Sequence, residues 1–187
     1  MVFKLNFILL ACAAMAIWFL FRWKARRKRP VTRYREWILF IFFLYLLDVS
    51  YFTLKPFHFV IPIPGLYPRQ FSIDLHLFSE LRGISDIKRQ LYYSLANIVM
   101  TVPFGLFMPM LYPFARKIYI TALLGLGFSA TIELTQVLFT TTRTATVDDL
   151  FFNTVGAVIG FCCFYIGNWK GKLEQIGYKL ERKKGTG

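Results

Sequence analysis

Acidic residues are scarce in this chain: ten aspartates and glutamates stand against 23 lysines and arginines. There are two histidines and three cysteines. Asp74 and His76 sit close together, but two donors are too few to build a zinc centre. Cys162 and Cys163 are adjacent, which suits neither a disulfide nor a metal clip, so the cysteines read as small apolar residues. No glycine-rich phosphate loop and no Ser-His-Asp arrangement is present. No metal and no cofactor is therefore expected. Charge of either sign is also missing from long runs. From Ile118 to Phe139 the only charged side chain is Glu133.

What fills those runs is apolar. The chain has 187 residues, 56% of them hydrophobic and 19% aromatic. That lies outside the range of soluble domains and marks an integral membrane protein. Five spans are predicted, at 5–21, 37–54, 92–111, 118–139 and 150–166. Each is about 17–22 residues, or about 25–33 Å of helix, enough for a hydrocarbon core of about 30 Å. The alternating ten-residue segments of a barrel are absent. The expected fold class is all-α, one membrane-embedded helical bundle. Residues 1–36 form the first helix and a basic loop, 37–166 the membrane domain with a loop over 55–90, and 167–187 a basic tail.

The net charge of +13 suggests nucleic acid until it is placed on this topology. The loop 22–36, the pair Arg116-Lys117 and the tail hold 16 of the 23 basic residues and three of the ten acids. The rest of the chain is neutral. Five spans put all three segments on one side, which the positive-inside rule makes cytoplasmic. The N-terminus is then outside and the C-terminus inside, in a multi-pass protein of the cell membrane. The first apolar run follows only one lysine and precedes the basic cluster. It reads as an uncleaved helix rather than a signal peptide. The basic runs are assigned to topology and membrane lipids, not to nucleic acid.

The polar residues inside the spans carry the functional signal. Gly125, Ser129 and Glu133 recur every fourth residue, and Gln136 follows on the same face. An intramembrane carboxylate is expensive unless it is paired or lines a wet cavity, so Glu133 is a site candidate. With Thr140 at the outer interface, Glu133 lies roughly 10 Å deep. Asn97 lies in the third span, ahead of Pro103-Phe104-Gly105 and Pro109, where a break in the helix is expected to open a cavity or simply to kink it. Asp148 and Asp149 open the fifth span, where the helix dipole favours acids, with Thr146 as its N-cap. Asn153 follows Asp149 by one turn. Gly156 and Gly160 form a GxxxG face, a partner for the Gly125/Ser129 stripe or for a second copy of the chain. Arg143, in the turn between the last two spans, is within reach of Glu133 or the aspartates. The expected binding set is Asn97, Glu133, Gln136, Arg143, Asp148, Asp149 and Asn153. The structural alternative is that the aspartates cap the helix and Glu133–Arg143 fixes register. Asp48 is a further intramembrane acid, either bonded within the bundle or facing outward. Residues 72–81 alternate apolar and polar and suggest a strand or an interfacial segment, within a loop suited to act as a lid.

The ordered series N-x5-P-F-G-x3-P from Asn97, E-x2-Q from Glu133, R-x4-D-D from Arg143 and N-x2-G-x3-G from Asn153 resembles the VanZ-like family. The resemblance covers roughly residues 55–166. It implies a bacterial membrane protein associated with low-level resistance to teicoplanin but not to vancomycin. It implies no catalytic residues. Three functions remain open on the residues. One is an outward-facing polar site that binds a lipid-linked cell-wall precursor or teicoplanin itself. Another is an enzyme on an envelope lipid or glycopolymer, with Glu133 and Asp149 as acid and base. The third is a small flippase or transporter, dimeric through Gly156/Gly160.

Overall fold

Helix is the only backbone arrangement that satisfies its own polar groups within a lipid-facing apolar run, and helix dominates the structure. The computed structural model describes residues 2–4, 6–28, 32–55, 58–60, 73–139, 145–173 and 175. In chain order the elements are β1 (Val2–Lys4), α1 (Phe7–Lys28), α2 (Arg33–Leu54), β2 (His58–Val60), β3 (Ile73–Asp74), α3 (Ser79–Gly83), α4 (Ile87–Leu111), a 3-10 turn (Pro113–Ala115), α5 (Ile118–Phe139), β4 (Ala145–Thr146) and α6 (Val147–Ile166). Five of them, α1, α2, α4, α5 and α6, are long and apolar enough to cross a membrane. The fold is all-α with two short ribbons.

Most helices start or end beyond the apolar runs. α1 continues through its basic segment to Lys28. Lysine and arginine are good helix formers and suit a helix C-terminus, so the change from apolar to charged does not stop the helix. α4 begins at Ile87, where the Asp86 carboxylate accepts the Lys88 N–H at 2.9 Å. It then runs unbroken through Pro103 and Pro109. The helix is not interrupted at either proline, so of the two readings, a cavity-opening break or a kink, the break is not seen.

The chain divides into two units. Met1–Gly83 with Ala130–Asp148 forms the first, and Ile84–Ser129 with Asp149–Gly187 the second. In the first unit α1 and α2 form an antiparallel hairpin. Phe7, at the start of α1, meets Tyr51, near the end of α2, with ring centroids 5.0 Å apart. Trp18 packs on Phe40 and Phe43 at 5.3 and 5.2 Å. The antiparallel β1–β2 ribbon, Val2 opposite Val60, closes one end of the hairpin. A parallel ribbon pairs Ile73 with Ala145 and Asp74 with Thr146. Within the alternating segment 72–81, residues 73–81 are a two-residue strand, a turn and the start of α3. Asp48 is exposed on α2. Of the expected lid over 55–90, residues 56–57 and 61–72 lie outside the described residues.

In the second unit α6 packs against both α4 and α5. A Cβ on Gly156 would be driven into the Ile98 carbonyl, and one on Gly160 into the Val102 carbonyl. On the adjoining face, a Cβ on Gly125 would come within 2.5 Å of the Ala157 methyl. Phe104 and Phe128 stack between α4 and α5 with centroids 4.4 Å apart and planes 6° apart. The GxxxG face is therefore occupied by α4 of the same chain. Small residues at these positions let the two backbones approach this closely. Asn168 stops α6 in the left-handed region, with φ 49°, as an asparagine after a helix C-terminus commonly does.

Candidate functional site

Five polar residues of the second unit form one connected cluster. α4 presents Asn97 and, one turn on, Thr101. α5 presents Ser129, and α6 presents Asp149 and Asn153. The Asn97 amide donates to the Asp149 carboxylate. The Asn153 side-chain N–H donates to Ser129 Oγ at 2.8 Å. Ser129 Oγ makes a long contact of 3.4 Å to the Asp149 carbonyl. Thr101 Oγ1 donates to the Asn153 carbonyl at 2.7 Å. Thr101 and Ser129 are fully buried, and Asn153 is 1% exposed. Asn97 and Asp149 are partly exposed. The cluster thus has an accessible end, Asn97–Asp149, and a buried end, Asn153–Ser129.

The close approach of the helices makes this possible. Glycines 105, 125 and 156 keep side chains out of the contacts, so a short hydroxyl or amide spans from one helix to the next. One atom stands apart. The side-chain oxygen of Asn153 is buried and has no hydrogen-bond partner among the described residues. A buried acceptor left this way costs about 1–3 kcal/mol.

The other expected site residues have different surroundings in the first unit. Asp148 is 2% exposed. Its carboxylate accepts the backbone N–H of Phe78, and that of Leu81 at 3.4 Å. Phe78 has φ 63°, a left-handed conformation that costs a bulky residue about 1–2 kcal/mol. Asp148 is therefore the anchor of a strained turn, more than a helix-dipole acid. Asp148→Ala is expected to raise amide exchange at Phe78 and Leu81 by about 10–100-fold, the loss of a charge-assisted bond worth about 1.5–3 kcal/mol. Unchanged protection at both amides would refute the anchor. Beside the turn, the Ser79 hydroxyl and the His76 backbone N–H hold the Asp74 carboxyl below its ordinary 3.8. That support exists above the ordinary value and is lost as pH falls through the lowered one.

The Gln136 side chain donates to the Thr53 carbonyl at 2.9 Å. This satisfies one of the last four carbonyls of α2, which have no partner within their own helix. Glu133 is 5% exposed on α5. Arg143 lies outside the described residues. Among the expected binding residues, the second unit joins Asn97, Asp149 and Asn153. Thr101 was missed. Its signal is its place four residues after Asn97 in an otherwise apolar helix.

The chain matches the family model described as VanZ/LLP1 over residues 7–168. No curated protein and no solved structure matched. The match covers most of the chain, and the protein belongs to the VanZ/LLP1 family.

Proposed function

We propose that this VanZ/LLP1 protein uses the α4–α6 polar cluster to bind the polar part of an acylated envelope compound, and so gives low-level resistance to teicoplanin. The observation that carries this reading is the buried, unsatisfied Asn153 oxygen behind the accessible Asn97–Asp149 pair. Buried acceptors are completed in native proteins by a water or a ligand, and breaches of that rule concentrate at functional sites. A hydroxyl or amide N–H of a lipid-linked precursor, or of the glycopeptide, has the hydrogen that this oxygen needs. Teicoplanin carries an acyl chain and vancomycin does not, so a site in a membrane favours the former. With the basic segments on the cytoplasmic side of the cell membrane, the N-terminal halves of α4 and α6 face outward, toward those compounds.

The test is antibiotic susceptibility of a Gram-positive host expressing wild type, Asn97→Ala or Asp149→Asn, with membrane levels matched by blot. Teicoplanin protection is expected to fall to the empty-vector level in both variants, with vancomycin susceptibility the same throughout. Full protection by both variants would remove the cluster from the function.

A further inference from the structure

Opposite the β1–β2 ribbon, the α1–α2 hairpin ends in a second polar construction. Glu36 is buried. Both its oxygens are taken, by Arg22 and by Arg26, the latter at 2.9 Å. Two arginines on one carboxylate leave a positive charge over. The Arg26 side chain is 54% exposed, whereas that of Arg22 is 16% exposed. Arg33 brings a third guanidinium to the same place and makes no ion pair with a described residue.

These groups rim a cavity of about 650 Å³ whose other walls are Trp18, Phe19, Trp37 and Phe40. The cavity is graded along the helices. Trp18 precedes Arg26 by eight residues on α1, and Phe40 follows Arg33 by seven on α2, so these two aromatics lie roughly 10–12 Å of helix from the cations, with Trp37, one turn from Arg33, between them. The aromatic floor is itself packed, with Trp37 and Phe40 centroids 6.2 Å apart and Trp18 and Phe40 5.3 Å apart. A soluble anion uses only the rim of such a cavity. A molecule with a phosphate at one end and hydrocarbon at the other uses all of it.

We propose that this cavity is a discrete site for an anionic glycerophospholipid, with the phosphate on Arg26 and Arg33 and the acyl chains over Trp18, Trp37 and Phe40. Glu36 positions Arg26 for this by fixing it against α2. The surrounding basic residues attract anionic lipid in general; this cavity holds one molecule. The site is separate from the α4–α6 cluster and does not depend on what that cluster binds.

Native mass spectrometry of the full chain, released from micelles doped with phosphatidylglycerol or phosphatidylcholine, tests it. Wild type is expected to retain one phosphatidylglycerol and to discriminate against phosphatidylcholine. Arg33→Gln is expected to weaken retention about fivefold, the equivalent of one arginine near an anionic headgroup. Arg33 makes no ion pair with a described residue, so folding, checked by circular dichroism, is expected to be unaffected. Arg35→Gln, an exposed neighbour that does not line the cavity, is expected to leave retention unchanged. Equal losses in both variants would replace the site with a diffuse field and overturn the proposal. So would equal retention of the two lipids, or displacement of phosphatidylglycerol by excess inorganic phosphate.

Discussion

Gly160→Ala lowers the thermal midpoint of the detergent-solubilised protein by about 6–12 °C, a loss of about 3 kcal/mol in a chain of this length. The three atoms nearest the added methyl are all main chain of α4. It is driven into the Val102 carbonyl oxygen, and it lies 2.8 Å from the Leu106 nitrogen and 3.0 Å from the Gly105 carbonyl carbon. A side chain would swing away; a helix backbone has to move as a body, and α4 cannot retreat without losing the Thr101–Asn153 bond. Gly127 supplies the control. It lies in α5, and a Cβ there meets nothing within 4 Å. Gly127→Ala gains helix propensity of up to about 1 kcal/mol and raises the midpoint or leaves it unchanged. If the two substitutions behave alike, α4 does not occupy the glycine face.

The same contacts mark what was legible in the sequence. Five apolar runs announce five helices, because the period of charge-free segments depends only on membrane thickness. Their ends are less legible: nothing in the hydropathy of residues 22–28 says that α1 continues, although their helix propensity does. The prolines of α4 point to a break that packing overrides, for Gly105 lies directly on the Ala157 backbone. Asp148 and Asp149 are indistinguishable as neighbours. On a helix they point about 100° apart, one to the Phe78 turn and one to Asn97. Those partners are 70 and 52 residues away in the chain, and spacing carries no trace of them. The role of Gln136 is hidden for the same reason, since its acceptor is a main-chain carbonyl of α2 and main chain has no sequence signature.

Asn153→Leu separates structure from function at the cluster, and its expected effect on protection is complete loss. The substitution exchanges an amide for an apolar group of similar size at a position 1% exposed. It removes one hydrogen bond, to Ser129, worth about 0.5–1.5 kcal/mol net, and also removes the buried oxygen whose desolvation costs about 1–3 kcal/mol. The Ser129 hydroxyl keeps its contact with the Asp149 carbonyl, and the Thr101 bond goes to the backbone of residue 153 and survives the change. Thermal stability is therefore expected to stay level or rise by about 1 kcal/mol. An amide kept for packing alone would have no reason to carry an unmatched acceptor, whereas one kept for a ligand would carry it at some cost to stability. Teicoplanin susceptibility and thermal midpoint measured on the same variant decide between them. Protection lost with the midpoint held or raised identifies Asn153 as a binding residue. Protection retained in a protein of equal or greater stability would make the amide dispensable and leave the cluster without its binding role.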